Sequence, residues 1–347
     1  MAFDIYKNIL RRRGVCIIIR ISKPVTPLHN ADLDGLFFMT KQKFTKLPTT
    51  PHEQITLLKK RGMILLDEEF VHHCLSTVNY YRLSAYIKPF EADKSSHTII
   101  PGIEFNDIWN LYVFDRELRL LFLDALERIE VALRTSMINT MSARYDAWWY
   151  VEKEPFKSTW FEIPLKKKIS PADAFRNEVE SLCGNVGSEG SIQHYYKKYN
   201  DPELPPSWML FEHLSFGKCT SLFRYLKHHQ DRAEISKVFH FHANIVESAI
   251  ESLRYTRNIC AHHLRLWDRW FVYKPRQIKE LAQANCKPGT FKEQMVLLMM
   301  FHFAISPHSS WKDRLYQTFE KHMIPSVPIT AMGIDNDWKN DPLWDVI

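Results

Sequence analysis

Four residues able to do chemistry stand close together: Arg257, Asn258, His262 and His263, inside Ser252–Phe271 (SLRYTRNICAHHLRLWDRWF). An arginine, an amide and an imidazole, without a carboxylate cluster or metal-ligand spacing beside them, suit metal-independent RNA cleavage. Imidazole can take the proton of a ribose 2′-OH or give one to the leaving 5′-oxygen. Guanidinium offsets charge on the pentavalent phosphorane. DNA lacks the 2′-OH and should survive. No cofactor and no metal is called for.

Read as one helix, the stretch has two stripes. Val246, Ile250, Leu253, position 257, Cys260 and Leu264 follow steps of four and three and define a packing face that carries Arg257. Arg254, Asn258, His262, Arg265 and Arg269 run beside it. This places Asn258 one turn from His262, where its amide could orient the imidazole, and offers Arg254, Arg265 and Arg269 to phosphates. Arg257 and His262 lie about 140° apart on an ideal helix. Their convergence therefore needs either a distortion near His262 or a second copy across a symmetry axis, which would make a homodimer part of the activity.

Other readings stay open. Cys260 with His262 and His263 could hold a metal, but Cys260 and His262 are two apart and face different ways. Arg257 could pair with a core carboxylate such as Glu127 or Glu130, with Asn258 a surface amide. His263 suits a structural contact.

The remaining chain must position these groups. Thr50-Pro51-His52-Glu53 is a capping box that predicts a helix to Gly62. Asp67 should cap a second helix running into Tyr80–Tyr86 and stopped by Pro89. Between Glu104 and about Arg144 there is no proline or glycine, and apolar residues recur at Ile108, Leu111, Leu118, Leu121, Phe122, Ala125, Ile129, Ala132, Leu133 and Ser136. That predicts one long core helix, with Asp115, Arg116, Glu117, Arg119, Glu127, Arg128, Glu130 and Arg134 on its other faces. A helical region from Trp208 to Leu226 should break at Gly217, and Asp231 should cap another. No alternating strand pattern is long enough to matter, so the fold expected is all-α.

Residues 147–170 set Trp148, Trp149, Tyr150, Phe156, Trp160 and Phe161 among lysines ending at Lys166, Lys167 and Lys168. Either the rings stack single-stranded RNA bases beside the lysines, or they anchor a loop on the core. With the Gly-rich run 183–191, this marks an insertion at about 147–195 in a domain of residues 39–347. Residues 1–38 share no periodicity with the rest and are read as an extension upstream of a start at Met39.

A balance of 45% hydrophobic and 25% charged residues excludes disorder, and a net charge of +6 is compatible with a polyanion such as RNA. Cys16, Cys74, Cys183, Cys219, Cys260 and Cys286 form no C-x-x-C pair, which fits reduced thiols in a cytosol. Arg11-Arg12-Arg13 before Val15–Ile19 imitates a signal peptide, but the apolar run is short and Arg20 interrupts it. Met295–Ile305 is about half the length of a membrane span. The expectation is a cytoplasmic protein without a membrane partner.

The sequence resembles the abortive-infection proteins of the AbiD and AbiF type, bacterial anti-phage factors of the HEPN superfamily. The resemblance is carried by EQITLLKKRG (53–62), VNYYRLSAYIKPF (78–90), LYVFDRELRLLFLDALERIEVALR (111–134), PPSWMLFEHLSFG (205–217), RNICAHHLRLW (257–267) and a tail with Met332-Gly333 and Asp337-Trp338. Arg257 to His262 is similar to the superfamily signature of arginine, a polar residue, then histidine four to six positions after the arginine. The resemblance implies a HEPN-like helical bundle that pairs two motifs into a composite ribonuclease centre, here in a homodimer. It makes Arg257 and His262 catalytic, Asn258 supporting, and Glu127 or Glu130 an acidic partner. It also admits a non-catalytic RNA-binding or regulatory module in a defence or toxin–antitoxin system, and a companion RNA or antitoxin as a further partner.

Overall fold

The fold comes from a computed structural model that describes residues 43–158, 161–162, 168–184, 190–323 and 327–345. Chain contacts separate residues 1–54 from residues 55–347. Residues 1–38, Lys166 and Lys167 lie outside the described residues.

Thr50 and Glu53 form the expected capping box: the Thr50 amide and hydroxyl donate to the Glu53 carboxylate at 2.7 and 2.9 Å. Helix α1 (Pro51–Lys60) follows, and Gly62 at φ 91° lets the chain leave it. Helix α2 (Glu68–Thr77) starts at Asp67, which accepts the Phe70 amide at 2.9 Å. It does not run on into Tyr80. Val78 is extended, and Asn79 caps a separate α3 (Tyr80–Ile87) by accepting the Tyr81 amide at 2.7 Å. The asparagine side chain thus competes with helix continuation.

A short antiparallel ribbon, β1 (Glu91–Asp93) with β2 (Thr98–Ile99), leads into α4 (Phe105–Arg144). At 40 residues, α4 is about 60 Å long. A reciprocal Glu104–Asp107 capping box starts it. Ile108, Leu111, Leu118, Phe122, Ala125, Ile129 and Leu133 are fully buried, as the periodicity requires. Asp115, Arg119 and Arg134, expected on outer faces, are buried as well. Each has a partner that offsets part of its cost of desolvation.

The elements after α4 are β3 (Phe161–Glu162), β4 (Lys168–Ile169), α5 (Pro171–Gly184), α6 (Ser191–Lys198), α7 (Ser207–Leu210), α8 (Phe216–Tyr225) and α9 (His229–Ser236). They are followed by α10 (Ala243–Ala261), α11 (Lys279–Gln283), α12 (Phe291–Ile305) and α13 (Trp311–His322). Helices α3, α9, α10, α12 and α13 all pack on α4. With only two two-stranded ribbons among the described residues, the fold is all-α.

Two local expectations are corrected. The break before α8 falls at Leu214–Ser215, where Ser215 caps the helix, and Gly217 lies inside it. Asp231 is not a cap: it is buried and accepts from Arg144 and from the Tyr145 hydroxyl, the latter at 2.8 Å. Of the aromatic segment, Trp149, Tyr150 and Phe156 go to the core and the Trp148 indole donates to the Leu204 carbonyl at 2.7 Å, while Trp160 lies outside the described residues. Lys168 lies in β4.

Helix α12 is buried from Phe291 through His302, and the Lys292 ammonium meets Asp341 at 2.6 Å. No helix among the described residues is long and apolar enough to cross a membrane. His302 is fully buried, bonded through Nε2 to Ser309 Oγ at 2.9 Å. Burial, then the nearby Arg128, pull its pKa down to about 4 from 6.5. The folded state therefore favours neutral imidazole, and the unfolded chain gains a proton first as pH falls. Stability is full above about pH 6.5 and declines to pH 4, by about 2 kcal/mol at pH 5 and about 3 kcal/mol at pH 4. Urea titrations across that window should show a flatter decline for His302→Gln; equal slopes would remove His302 from the account.

Candidate functional site

The functional stretch is not one helix. α10 ends at Ala261, and His262 is its C-cap at φ −89° and ψ 13°. His263 follows at φ 55°. The His263 amide donates to the Cys260 carbonyl at 3.1 Å and the Leu264 amide to the Ile259 carbonyl at 2.9 Å, the paired bonds of a Schellman ending. A histidine holds the left-handed position that glycine usually takes. Arg82 of α3 secures it by donating to the His263 carbonyl at 2.6 Å.

This ending revises the helical geometry. His262 does lie one turn from Asn258, but the bond between them runs from the His262 amide to the Asn258 carbonyl at 3.0 Å. Among the described residues neither the Asn258 amide side chain nor the His262 imidazole makes a hydrogen bond. His262 and His263 are both exposed. His262 still closes a helical bond, and the chain departs from helical geometry only after it, at His263.

The three cations assigned to phosphate do not form a stripe. Arg254 pairs with Glu251 at 2.5 Å. Arg265 donates to the Ala85 carbonyl at 2.8 Å and to the Asp268 carbonyl at 3.0 Å. Arg269 Nε donates to the Arg265 carbonyl at 2.5 Å. Arg265 and the Nε of Arg269 donate to carbonyls that fix the turn after α10.

Arg257 faces α4. Its Nε lies 3.6 Å from Glu130 Oε2, so of the two carboxylates named from the sequence Glu130 is the partner. Arg134 holds the other carboxylate oxygen at 3.1 Å and the Leu214 carbonyl at 3.0 Å. Burial raises the Glu130 pKa, against the opposing pull of Arg257 and Arg134. Glu127 is exposed and lines the same cleft, a cavity of about 360 Å³ that also touches Val131, Arg134, Arg257 and Ala261. Burial pushes the Cys260 thiol up to about 12, which keeps it protonated and unreactive. Among the described residues no three His, Cys, Asp or Glu side chains gather to hold a metal ion.

The sequence reading missed what pins the segment beyond the motif. Asp115, fully buried on α4, accepts the Leu266 amide at 3.0 Å, the Trp267 amide at 2.6 Å and the Tyr86 hydroxyl at 2.5 Å. Arg119, one turn along, completes its set. Burial works most strongly against the Arg119 charge, but the Asp115 carboxylate, together with Tyr86 and Cys260 beside it, holds the guanidinium above its ordinary pKa. One carboxylate therefore ties α3, α4 and the chain after His263 together. The signal was present: Asp115 falls four residues from both Leu111 and Arg119, on the packing face.

A long helix carrying a buried carboxylate hub, with an arginine–carboxylate cleft beside a second helix, belongs to an all-α protein. The chain belongs to the Abi-like protein family, whose model matches residues 73–268. That membership suggests abortive-infection defence. The matched span takes in Tyr86, Asp115, Arg119, Glu130, Arg257 and His262, and closes one residue beyond Trp267. No curated protein and no solved structure matches the chain.

Proposed function

We propose that the chain is a cytoplasmic anti-phage protein of the AbiD/AbiF type and the HEPN superfamily, acting as a metal-independent endoribonuclease. The observation that carries the reading is the placement of an exposed imidazole without a partner among the described residues, His262, at the end of the helix that sets Arg257 against Glu130. His262 exchanges the proton with the ribose 2′-OH or the leaving 5′-oxygen. Arg257, half exposed in its cleft, meets the scissile phosphate, and Glu130 holds it in position. Asn258, one turn before His262, is the supporting residue, its side-chain amide placed to orient the imidazole. The active form is a homodimer whose two motifs face one another; exposed Leu120 and Val131 on α4, and Leu264 after the motif, favour such a partner.

A second reading, a non-catalytic RNA-binding or regulatory module, draws on the Arg257–Glu130 pairing, which needs no substrate. End-labelled RNA and DNA incubated in EDTA separate the two. The enzyme yields RNA fragments ending in 2′,3′-cyclic phosphate and leaves DNA intact; RNA retained without products would support the binder.

A further inference from the structure

A second cavity of about 350 Å³ lies on the other side of Leu123, which lines both it and the Arg257 cleft. Its wall carries Arg82, Arg116, Arg119 and His263 and no carboxylate. The charges divide unequally. Arg119 is neutralised by Asp115 behind the wall. Arg82 spends a donor on a neutral acceptor, the His263 carbonyl. Arg116 is exposed, and among the described residues neither it nor Arg82 has an ion pair. In the adjoining cleft, by contrast, Arg134 and Arg257 share Glu130. Two uncompensated guanidiniums in one concavity focus positive potential, and an anion entering it relieves their mutual repulsion, with the His263 ring beside them. Planar guanidiniums suit phosphate oxygens in particular.

We propose that this cavity is a phosphate subsite. It takes the backbone phosphate of an RNA strand whose neighbouring segment lies at Arg257, a source that rests on the ribonuclease reading. Because Arg82 also holds the His263 carbonyl, a phosphate seated there bears directly on the turn that presents His262.

The test is fluorescence anisotropy of the full chain with a labelled 2′-O-methyl RNA oligonucleotide, which has phosphates but no attacking hydroxyl. Arg116→Glu should weaken binding about tenfold and lower the slope of log affinity against log salt by about one. Arg116→Lys should stay within about threefold, since it keeps the charge. Lys197→Glu, the same charge change on an exposed position of α6, should bind like wild type. Wild-type affinity in Arg116→Glu, or an equal loss in Lys197→Glu, would overturn the subsite. Displacement of the oligonucleotide by inorganic phosphate at millimolar concentration would overturn the strand as source in favour of a free anion. Cleavage activity with unchanged Arg116→Glu binding sinks the subsite and leaves the ribonuclease reading. Weakened binding in a protein that cuts nothing does the reverse.

Discussion

His262→Ala should lower RNA cleavage by about 10²–10⁴-fold, the range that a positioned acid or base contributes. The fold should be untouched. The imidazole is exposed and makes no hydrogen bond among the described residues, and the C-cap role belongs to the backbone, whose amide donates to Asn258. Alanine keeps that amide, so unfolding free energy should stay within about 0.5 kcal/mol of wild type. Cleavage kinetics and urea unfolding on one preparation check both halves. His263→Ala gives the contrast: it changes a turn whose carbonyl Arg82 holds, not the proposed acid or base. If His263→Ala lost cleavage while His262→Ala kept it, the roles assigned to the two histidines would be wrong.

Asp115→Ala should destabilise the protein by about 3–5 kcal/mol. Removing one partner of a buried ion pair strands the other charge, and here two amides and a tyrosine hydroxyl lose their acceptor as well. The Arg119 side chain is 5% exposed, so water cannot replace the carboxylate. Asp115→Asn keeps an acceptor and should lose less. The effect should be local as well as global. Leu266 and Trp267 hang on Asp115 through their amides, so hydrogen exchange at both should accelerate first. A loss under about 1 kcal/mol, or unchanged exchange at Trp267, would show that Asp115 does not anchor the segment after the motif.

Much of the scaffold was readable from residues. A long stretch without proline or glycine, with apolar positions at helical spacing, gave α4, and Thr50–Glu53 and Asp67 gave two helix starts because a capping side chain states its own position. Arg257 was readable as a charge on a packing face, and a carboxylate on α4 as its partner. What could not be read was where α10 stops. Helix ends are usually marked by glycine at the left-handed position; here His263 occupies it, so local sequence carried no stop. The overlong helix then generated a stripe of cations that the turn after Ala261 dissolves. Asp115 stood on the packing face by its spacing, but its role was not legible for a different reason. A charge counts as surface until its partners are known, and its partners come from α3 and from amides some 150 residues away.

The account is tested most directly by sequencing RNA 3′ ends from cells expressing the wild-type chain or His262→Ala, after ligation selective for 2′,3′-cyclic phosphate. Cleavage at the Arg257–His262 site predicts a defined set of cyclic-phosphate ends in wild type that is absent from the variant. The same ends at the same abundance in both would contradict it.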